Sequence, residues 1–335
     1  MDMDNKPNPP RWLPVDIVLG RQRPAVNWME MESGGLSEPF FQQTIEKCRR
    51  CHPPAKERET GLEELLAVVG GAQLPIAPIG LICHISRCGS TLIGNVLRTA
   101  GALVLSEARP VERLFGPYTS TVWPFPLDSW KDIRKELLTA VATAFARLDS
   151  DEPANLVIKF SSPSLLGLEL IRSVWPTVPC LVVVRDPIEV VVSHLQDPGG
   201  WLRMKSDPLA ASERFGFDGL NIRDMSSVEY SGRVVSRLCQ SALTNWHGAC
   251  RVLDYAAIDE AMMGKIATFF GLPWPGPDRE ELARVMRTYS KDAGRSREFR
   301  RDEKRKQLLA SESLRQDVEC WTQTPYQELK SLQGL

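Results

Sequence analysis

The sequence lacks long apolar runs and has almost no net charge. Across its 335 residues, 41 Lys and Arg stand against 42 Asp and Glu, which leaves a formal net charge of −1. Apolar runs never approach the ~18 residues that a membrane-spanning helix requires, so we expect no association with a membrane. Proteins that coat nucleic acid are normally basic overall, so the balanced charge also argues against a nucleic-acid partner. The remaining composition, 43% hydrophobic and 25% charged, is ordinary for a soluble globular protein.

The first ten residues lack the basic and then apolar pattern of a secretory signal, because they are acidic and rich in proline. We therefore expect a cytoplasmic protein whose eight cysteines are reduced thiols. Cys48, Cys51 and His52 have the C-x-x-C-H spacing of haem attachment, but haem attachment requires export. A second Cys/His pair for zinc is not evident. We expect this segment to be the last turn of a helix and no metal to be bound.

Residues 1–75 differ from the rest of the chain. We predict a helical or irregular N-terminal extension there, either a substrate lid or a packing arm, with no buried strand. In residues 76–335 short apolar strands alternate with helices, which predicts a single α/β domain of three layers, α/β/α, around a mainly parallel central sheet. Strands are predicted at 79–85, 103–105, 156–160, 179–184 and 251–255. Helices are predicted at 39–50, 62–69, 90–100, 129–148, 163–174, 226–250 and 261–270.

The loop after the first predicted strand of the main domain has the position of a phosphate-binding loop. It reads Arg87-Cys88-Gly89-Ser90-Thr91 and leads into a helix. Backbone N–H groups near Gly89 and the positive end of the helix dipole would face an anion, and Ser90 and Thr91 add hydroxyl donors. No Lys separates the glycine from the Ser/Thr pair, so the loop departs from the form found in nucleoside triphosphatases.

A second anion-binding pattern follows the fourth predicted strand of the main domain. Arg185, Asp186 and Pro187 stand at the end of that strand, and Ser193 comes eight residues after Arg185. An Arg at the carboxyl end of a parallel strand lies at the edge where α/β proteins bind ligands. Its planar guanidinium donates to two phosphate oxygens at once, and Ser193, two helical turns on, is expected to reach the same anion.

The two patterns together, in this order, resemble the sulfotransferases that use 3′-phosphoadenosine 5′-phosphosulfate (PAPS). In that family the first loop, [KR]-x-G-[ST]-[ST], binds the 5′-phosphosulfate, and the Arg with its later Ser binds the 3′-phosphate. The resemblance covers about residues 79–310, with Cys88 where Ser is common. It implies a P-loop-type fold, PAPS as the donor, the bisphosphate PAP as the product and no metal.

The resemblance also implies catalytic roles. Glu107 and Arg109 fall where the protein-tyrosine sulfotransferase-like branch has its general base and a substrate contact, and a carboxylate held near cations can accept the proton of an acceptor. Lys159, at a strand end, is expected to stabilise charge on the bridging oxygen together with Arg87. Ser290 resembles a residue that closes over the cofactor. His84 and His194 are the competing candidates for the base.

The sequence therefore predicts a sulfotransferase that moves a sulfuryl group from PAPS to a hydroxyl or amine of a small-molecule acceptor. Two alternatives remain open, a P-loop kinase that uses a nucleotide and a non-catalytic protein that binds PAPS or PAP. The sequence does not identify the acceptor or the oligomeric state. The aromatic residues Trp123, Phe125, Trp130 and Trp201 are candidates either for an acceptor pocket or for the core.

Overall fold

The computed structural model describes residues 11–19, 23–31, 36–51, 55–70, 74–115, 127–148, 152–217, 219–246, 248–274, 279–288 and 301–335. The strands are β1 (Arg11–Val18), β2 (Ala25–Met31), β3 (Glu57–Gly61), β4 (Gly80–His84), β5 (Leu103–Ser106), β6 (Leu156–Lys159), β7 (Cys180–Val184) and β8 (Cys250–Asp254). The helices are α1 (Phe41–Cys51), α2 (Leu62–Gly70), α3 (Ser90–Thr99), α4 (Arg109–Glu112), α5 (Leu127–Ala146), α6 (Leu168–Val174), α7 (Pro187–Gln196), α8 (Gly200–Arg203), α9 (Pro208–Phe215), α10 (Ser227–Thr244), α11 (Glu260–Phe269), α12 (Arg279–Arg287), α13 (Glu303–Leu309) and α14 (Glu312–Ser331).

A five-stranded sheet with the order β5-β6-β4-β7-β8 forms the centre of the protein. Every neighbouring pair in it is parallel, which confirms the predicted sheet. Its strands are short apolar runs buried on both faces, as a parallel sheet covered by helices requires. In the hydrogen-bonded register Lys159 lies beside both Ser106 and Ile82, so the carboxyl ends of β4, β5 and β6 meet at one edge.

Helices cover both faces of this sheet, which confirms the three-layer α/β/α arrangement. Alternate residues of β4 enter different cores: Leu81 and Cys83 join the larger apolar cluster, and Ile82 joins the smaller one. Helices α5 and α10 contribute to the larger cluster, and α3 and α11 to the smaller. The period of two along a strand produces this division. In the described part of the chain, no helix combines the length and apolar character needed to cross a membrane.

The N-terminal segment contains the two predicted helices, as α1 and α2, and also a three-stranded antiparallel sheet, β1-β2-β3, so the prediction that it has no buried strand was wrong. The register of β1 against β2 shifts between Pro14 and Asp16, which marks a bulge that interrupts the alternating pattern. Proline is tolerated in such a position on an edge strand. Strand β3 reads ERETG and carries no apolar residue that could have revealed it.

Two helices near the C-terminus, α13 and α14, were not predicted. Helix α14 packs against α10, with Val318 and Leu329 fully buried. The predicted helix at 226–250 ends earlier, because Cys250 already begins β8. The predicted helix at 163–174 begins as a 3-10 turn over Ser162–Gly167 and becomes α-helical at Leu168.

The N-terminal sheet and helices share a core with the main domain. Leu13, Ile17 and Phe41 belong to the same buried apolar cluster as helix α5. The ring of Phe41 meets Phe145 of α5 edge to face, with 5.6 Å between centroids. Aromatic pairs in this geometry are favourable beyond the area they bury.

Replacement of Phe41 by Ala tests this packing. Phe41 is 1% exposed, so Phe41→Ala should lower the free energy of unfolding of the whole protein by about 3–5 kcal/mol, measured by denaturant titration. Leu74→Ala is the matched control, because Leu74 is 82% exposed and its loss should change stability by less than about 0.5 kcal/mol. Equal stability of the two variants would contradict the shared core.

Candidate active site

An open cavity of about 490 Å³ lies at the carboxyl edge of the central sheet. It brings together eight of the residues that the sequence predicted for the site, namely Arg87, Cys88, Gly89, Ser90, Thr91, Glu107, Arg185 and Ser193. Its remaining wall includes Phe40, His84, Ser86, His194, Trp201, Tyr255, Asp302 and Lys306. Open α/β sheets bind their ligands at this edge.

The first loop predicted to bind an anion connects β4 to α3 and has an unusual backbone conformation. Ser86, Arg87 and Gly89 have positive φ angles of 84°, 53° and 80°. Left-handed conformations are costly for residues other than glycine and cluster at functional loops. A Cβ atom at Gly89 would lie 3.0 Å from side-chain atoms of Tyr255 and Ile258, so glycine fits where a larger residue would crowd the wall. Buried Ser90 and Thr91 begin α3, where the sequence predicted the start of this helix.

Arg87 bridges this loop to the end of helix α7. Its Nη2 donates to the backbone carbonyl of Asp197 and to Asp197 Oδ2, the latter at 2.9 Å. The Arg87 side chain is 12% exposed, whereas that of Asp197 is 76% exposed. The guanidinium is thus held at the cavity by a carboxylate that faces solvent.

The second segment predicted to bind an anion begins where β7 ends. Asp186 accepts hydrogen bonds from the N–H groups of Ile188 and Glu189, and Pro187 occupies the first turn of α7. In the Arg-Asp-Pro pattern, Asp186 and Pro187 therefore have a structural role at the start of α7, and the Arg has a separate role. Arg185 Nη1 donates to the carbonyl oxygen of Arg87 at 3.1 Å, so the two predicted segments touch.

Arg185 is surrounded by groups that suit its positive charge. Its Nε donates to Glu189 Oε2 at 2.7 Å, and its Nη2 donates to Asp302 Oδ1 at 2.7 Å. The guanidinium carbon lies 4.1 Å from the centroid of the Tyr255 ring. These carboxylates keep the pKa of Arg185 raised although burial by itself would lower it.

Glu107 and Lys159 form a buried ion pair beside the cavity. Lys159 Nζ donates to Glu107 Oε1, and the Glu107 N–H donates to the Lys159 carbonyl at 2.7 Å. Lys159 is 1% exposed and also lies 5.3 Å from the centroid of the Phe40 ring. Burial by itself would raise the pKa of Glu107, but the Lys159 ammonium and the His84 ring hold that pKa below the usual range of a glutamate.

The hydrogen bonds of the two neighbouring histidines define their tautomers. Nδ1 of His84 accepts the Ser86 N–H, and Nδ1 of His194 accepts the Gly199 N–H. A neutral ring whose Nδ1 accepts carries its proton on Nε2. Nε2 of His194 lies 2.9 Å from the Ser86 hydroxyl, and Nε2 of His84 faces Glu107 Oε1 at 3.7 Å. In these tautomers Nδ1 of each ring already accepts a hydrogen bond and Nε2 already carries a proton, so neither histidine is placed to take a proton from a substrate. This arrangement favours Glu107 over both histidines as the predicted base.

Other predicted residues lie elsewhere. Arg109 is 53% exposed, and its Nη1 lies 3.7 Å from Asp16 Oδ2 in β1. It is absent from the cavity wall formed by described residues, and its role as a substrate contact stays a prediction. Ser290, Trp123 and Phe125 lie outside the described residues, as does the side chain of Trp130, whereas Trp201 lines the cavity.

The C-x-x-C-H segment behaves as its helical interpretation predicts. Cys48 and Cys51 lie in α1, which ends at Cys51. Within the described ranges, no group of three or more His, Cys, Asp or Glu side chains is placed to bind a metal ion.

Sequence reasoning missed several cavity residues. Asp302 and Lys306 are four residues apart in a basic stretch, a spacing that places both on one face of a helix, but such stretches are usually solvated. Tyr255 directly follows β8, and no pattern in the sequence marked it as a cavity residue. Phe40 reaches the cavity from the N-terminal segment, for which the sequence offered a substrate lid or a packing arm without indicating Phe40.

Proteins similar to this chain are found among solved structures. No family model and no curated protein matches it. Among solved structures, a sulfotransferase from Alicyclobacillus acidocaldarius is similar, with 14% identity, a TM-score of 0.44 and coverage of 78% of this chain and 98% of that one. The sulfotransferase domain from the curacin biosynthetic pathway shows 15% identity, a TM-score of 0.41 and coverage of 77% and 97%.

A third similar structure is the sulfotransferase STF1 from Mycobacterium tuberculosis H37Rv, with 13% identity, a TM-score of 0.31 and coverage of 72% of this chain and 74% of that one. All three are sulfotransferases, the class that the sequence resemblance predicts. At these identities and TM-scores the similarity does not by itself assign an activity to this chain.

The buried pair predicts a dependence of stability on pH. Glu107→Gln leaves Lys159 buried without a countercharge and should lower the free energy of unfolding by about 3 kcal/mol at neutral pH. The folded-state pKa of Glu107 lies below its unfolded value, so the pair contributes fully above the ordinary glutamate range. That contribution disappears as the pH falls through the folded-state pKa.

Denaturant titrations of both proteins from about pH 7 down to pH 3 measure this difference. The gap between wild type and Glu107→Gln should narrow as the pH falls below the ordinary glutamate range, and Glu107→Gln/Lys159→Met should recover part of the lost stability at neutral pH. A gap that stays constant over the whole range would contradict the assigned ion pair.

Proposed function

We propose that this protein is a PAPS-dependent sulfotransferase that transfers a sulfuryl group to a small-molecule acceptor. The observation that carries the proposal is the contact between Arg185 and the carbonyl of Arg87. It joins the two anion-binding segments in one cavity, beside the pair formed by Glu107 and Lys159. A ligand with two separated anionic groups would match this arrangement.

The groups around the cavity suit the anionic parts of PAPS. Arg87, Gly89, Ser90 and Thr91 would hold the 5′-phosphosulfate through a guanidinium, backbone N–H groups and hydroxyls. Arg185 and Ser193 would hold the 3′-phosphate, as the motif resemblance implies. Bound PAPS supplies an activated sulfuryl group, and the protein residues bind and orient it.

Glu107 is the proposed general base. As the acceptor oxygen or nitrogen bonds to sulfur, its proton passes to Glu107, and the bond between sulfur and the bridging phosphate oxygen breaks so that PAP leaves with the electron pair. Lys159 and Arg87 would stabilise the negative charge on that oxygen. An anion near Lys159 would compete with Glu107 for the ammonium, which would make Glu107 a stronger base once the donor is bound.

The cavity wall also includes apolar residues that could contact an acceptor. These are Phe40, Pro163, Trp201 and Met204, and Glu107 lines the same cavity. We propose a small hydroxyl or amine compound as the acceptor, with neither nucleic acid nor a membrane as a partner, and a reaction in the cytoplasm. Phe40 would give the N-terminal segment a direct part in contacting the acceptor.

Binding of PAP tests the proposal independently of the acceptor. Titration calorimetry should detect PAP binding that needs no Mg²⁺ and is tighter than binding of Mg²⁺-ATP. Arg87→Gln should weaken PAP binding by about 10–100-fold and Ser193→Ala by about 3–10-fold, because each removes hydrogen bonds to a charged group. Ser206→Ala, an exposed serine outside the cavity, is the control. Preferential binding of Mg²⁺-ATP would point to a kinase instead.

Turnover tests the role of Glu107. A mass-spectrometric screen of metabolite extracts with PAPS should find products that have gained SO₃. With such an acceptor, Glu107→Gln should lower kcat by about 10²–10⁴-fold without weakening PAP binding, because the base acts on the acceptor and the freed Lys159 remains available to the anion. Unchanged kcat would remove Glu107 as the base, and PAP binding with no product from any acceptor would indicate a non-catalytic binding protein.

A further inference from the structure

Two buried cations share one carboxylate in the wall of the cavity. Asp302 Oδ1 accepts from Arg185 Nη2 at 2.7 Å, and its Oδ2 lies 2.9 Å from Lys306 Nζ. The side chains of Arg185 and Lys306 are 5% and 4% exposed, whereas that of Asp302 is 31% exposed. The cations are therefore enclosed, and the carboxylate between them reaches solvent.

Helix α13 is held so that Lys306 faces the cavity. Gln307, the next residue, donates from Nε2 to Glu189 Oε1 at 3.0 Å and accepts from Arg315 Nη1 at 2.7 Å. Glu189 in turn binds Arg185 Nε. Helices α7, α13 and α14 thus fix the position of Lys306 relative to Arg185, and rotation of the Asp302 side chain would leave both cations in place.

The electrostatics of the cluster favour an anion between the cations. Burial and the nearby charge of Arg185 lower the pKa of Lys306. Burial by itself would raise the pKa of Asp302, but Arg185 and Lys306 hold it below its ordinary value, so the carboxylate is charged. Without a negative group at this point, two buried positive charges would repel one another at short range.

A phosphate monoester neutralises the two buried cations better than a carboxylate does. It carries up to two negative charges and three terminal oxygens, so it can bind a guanidinium and an ammonium together. It cannot share the position with Asp302, because the two anions would repel each other. Binding of a phosphate therefore requires Asp302 to turn toward solvent.

We propose that Lys306 is a further phosphate-binding residue of this site and that Asp302 occupies the place of the 3′-phosphate in the unliganded protein. The inference rests on the proposed function, since it takes the bisphosphate nucleotide as the ligand. Asp302 neutralises the cations when the site is empty and competes with the phosphate when the ligand arrives. Lys306 then adds a second cation to Arg185 and selects nucleotides that carry the second phosphate.

The test compares two ligands that differ at this position, PAP and adenosine 5′-monophosphate, by titration calorimetry on the full chain. Lys306→Met should weaken PAP binding by about 10–100-fold, because it removes a charged donor, and leave adenosine 5′-monophosphate within about twofold. Lys304→Gln, an exposed lysine on the same helix, should change neither affinity.

Removal of the competing carboxylate should have the opposite effect. Asp302→Asn should tighten PAP binding by about tenfold and leave adenosine 5′-monophosphate binding unchanged. Its unliganded melting temperature should fall, because the cations lose their countercharge, and its gain in melting temperature on adding PAP should exceed that of wild type. Asp302→Ser provides a second variant in case Asp302→Asn does not fold.

The outcomes separate this inference from the proposed function. A purely structural ion pair would make Asp302→Asn less stable without tightening PAP binding, and that result overturns the inference. Unchanged PAP affinity in Lys306→Met overturns it as well, while the sulfotransferase proposal stands if wild type binds PAP. Failure of the wild-type protein to bind PAP overturns both.

Discussion

A buried guanidinium requires a hydrogen-bond acceptor for its N–H groups, and Arg185 finds acceptors on three separate segments. The carbonyl of Arg87 belongs to the loop after β4, Glu189 belongs to α7, and Asp302 immediately precedes α13. Each contact ties a different part of the chain to the end of β7. The cavity keeps its shape because these segments converge on one charge whose burial would be costly without all of them.

The net charge of the chain is only −1, yet several charged side chains meet at the site. Each cation there has an acidic partner. Lys159 pairs with Glu107, Arg87 with Asp197, and Arg185 and Lys306 with Asp302. These internal carboxylates balance the positive charges in and beside the cavity. In the proposed reaction, release of Lys159 from Glu107 on donor binding would make Glu107 a stronger base.

The main domain was predictable where a pattern within a short stretch of sequence corresponds directly to an element of the fold. The strands of the parallel sheet are continuous apolar runs, so their positions followed from composition, and the loops at their carboxyl ends followed from topology. The N-terminal sheet was not predictable in the same way. A bulge at Pro14 disrupts the alternation in β1, and β3 is entirely without apolar side chains, because a short edge strand needs backbone partners more than a buried face.

By itself, the sequence determined the parallel sheet, the positions of the two segments predicted to bind anions and Glu107 at a strand end, because these depend on the order of residues within short stretches. Only the tertiary structure decided that Lys159 pairs with Glu107, that Phe40 reaches the cavity, and that Asp302 stands between two cations. Asp302 and Arg185 are 117 residues apart in the chain. Such a contact depends on how helices pack around the sheet, and no local pattern of residues encodes that packing.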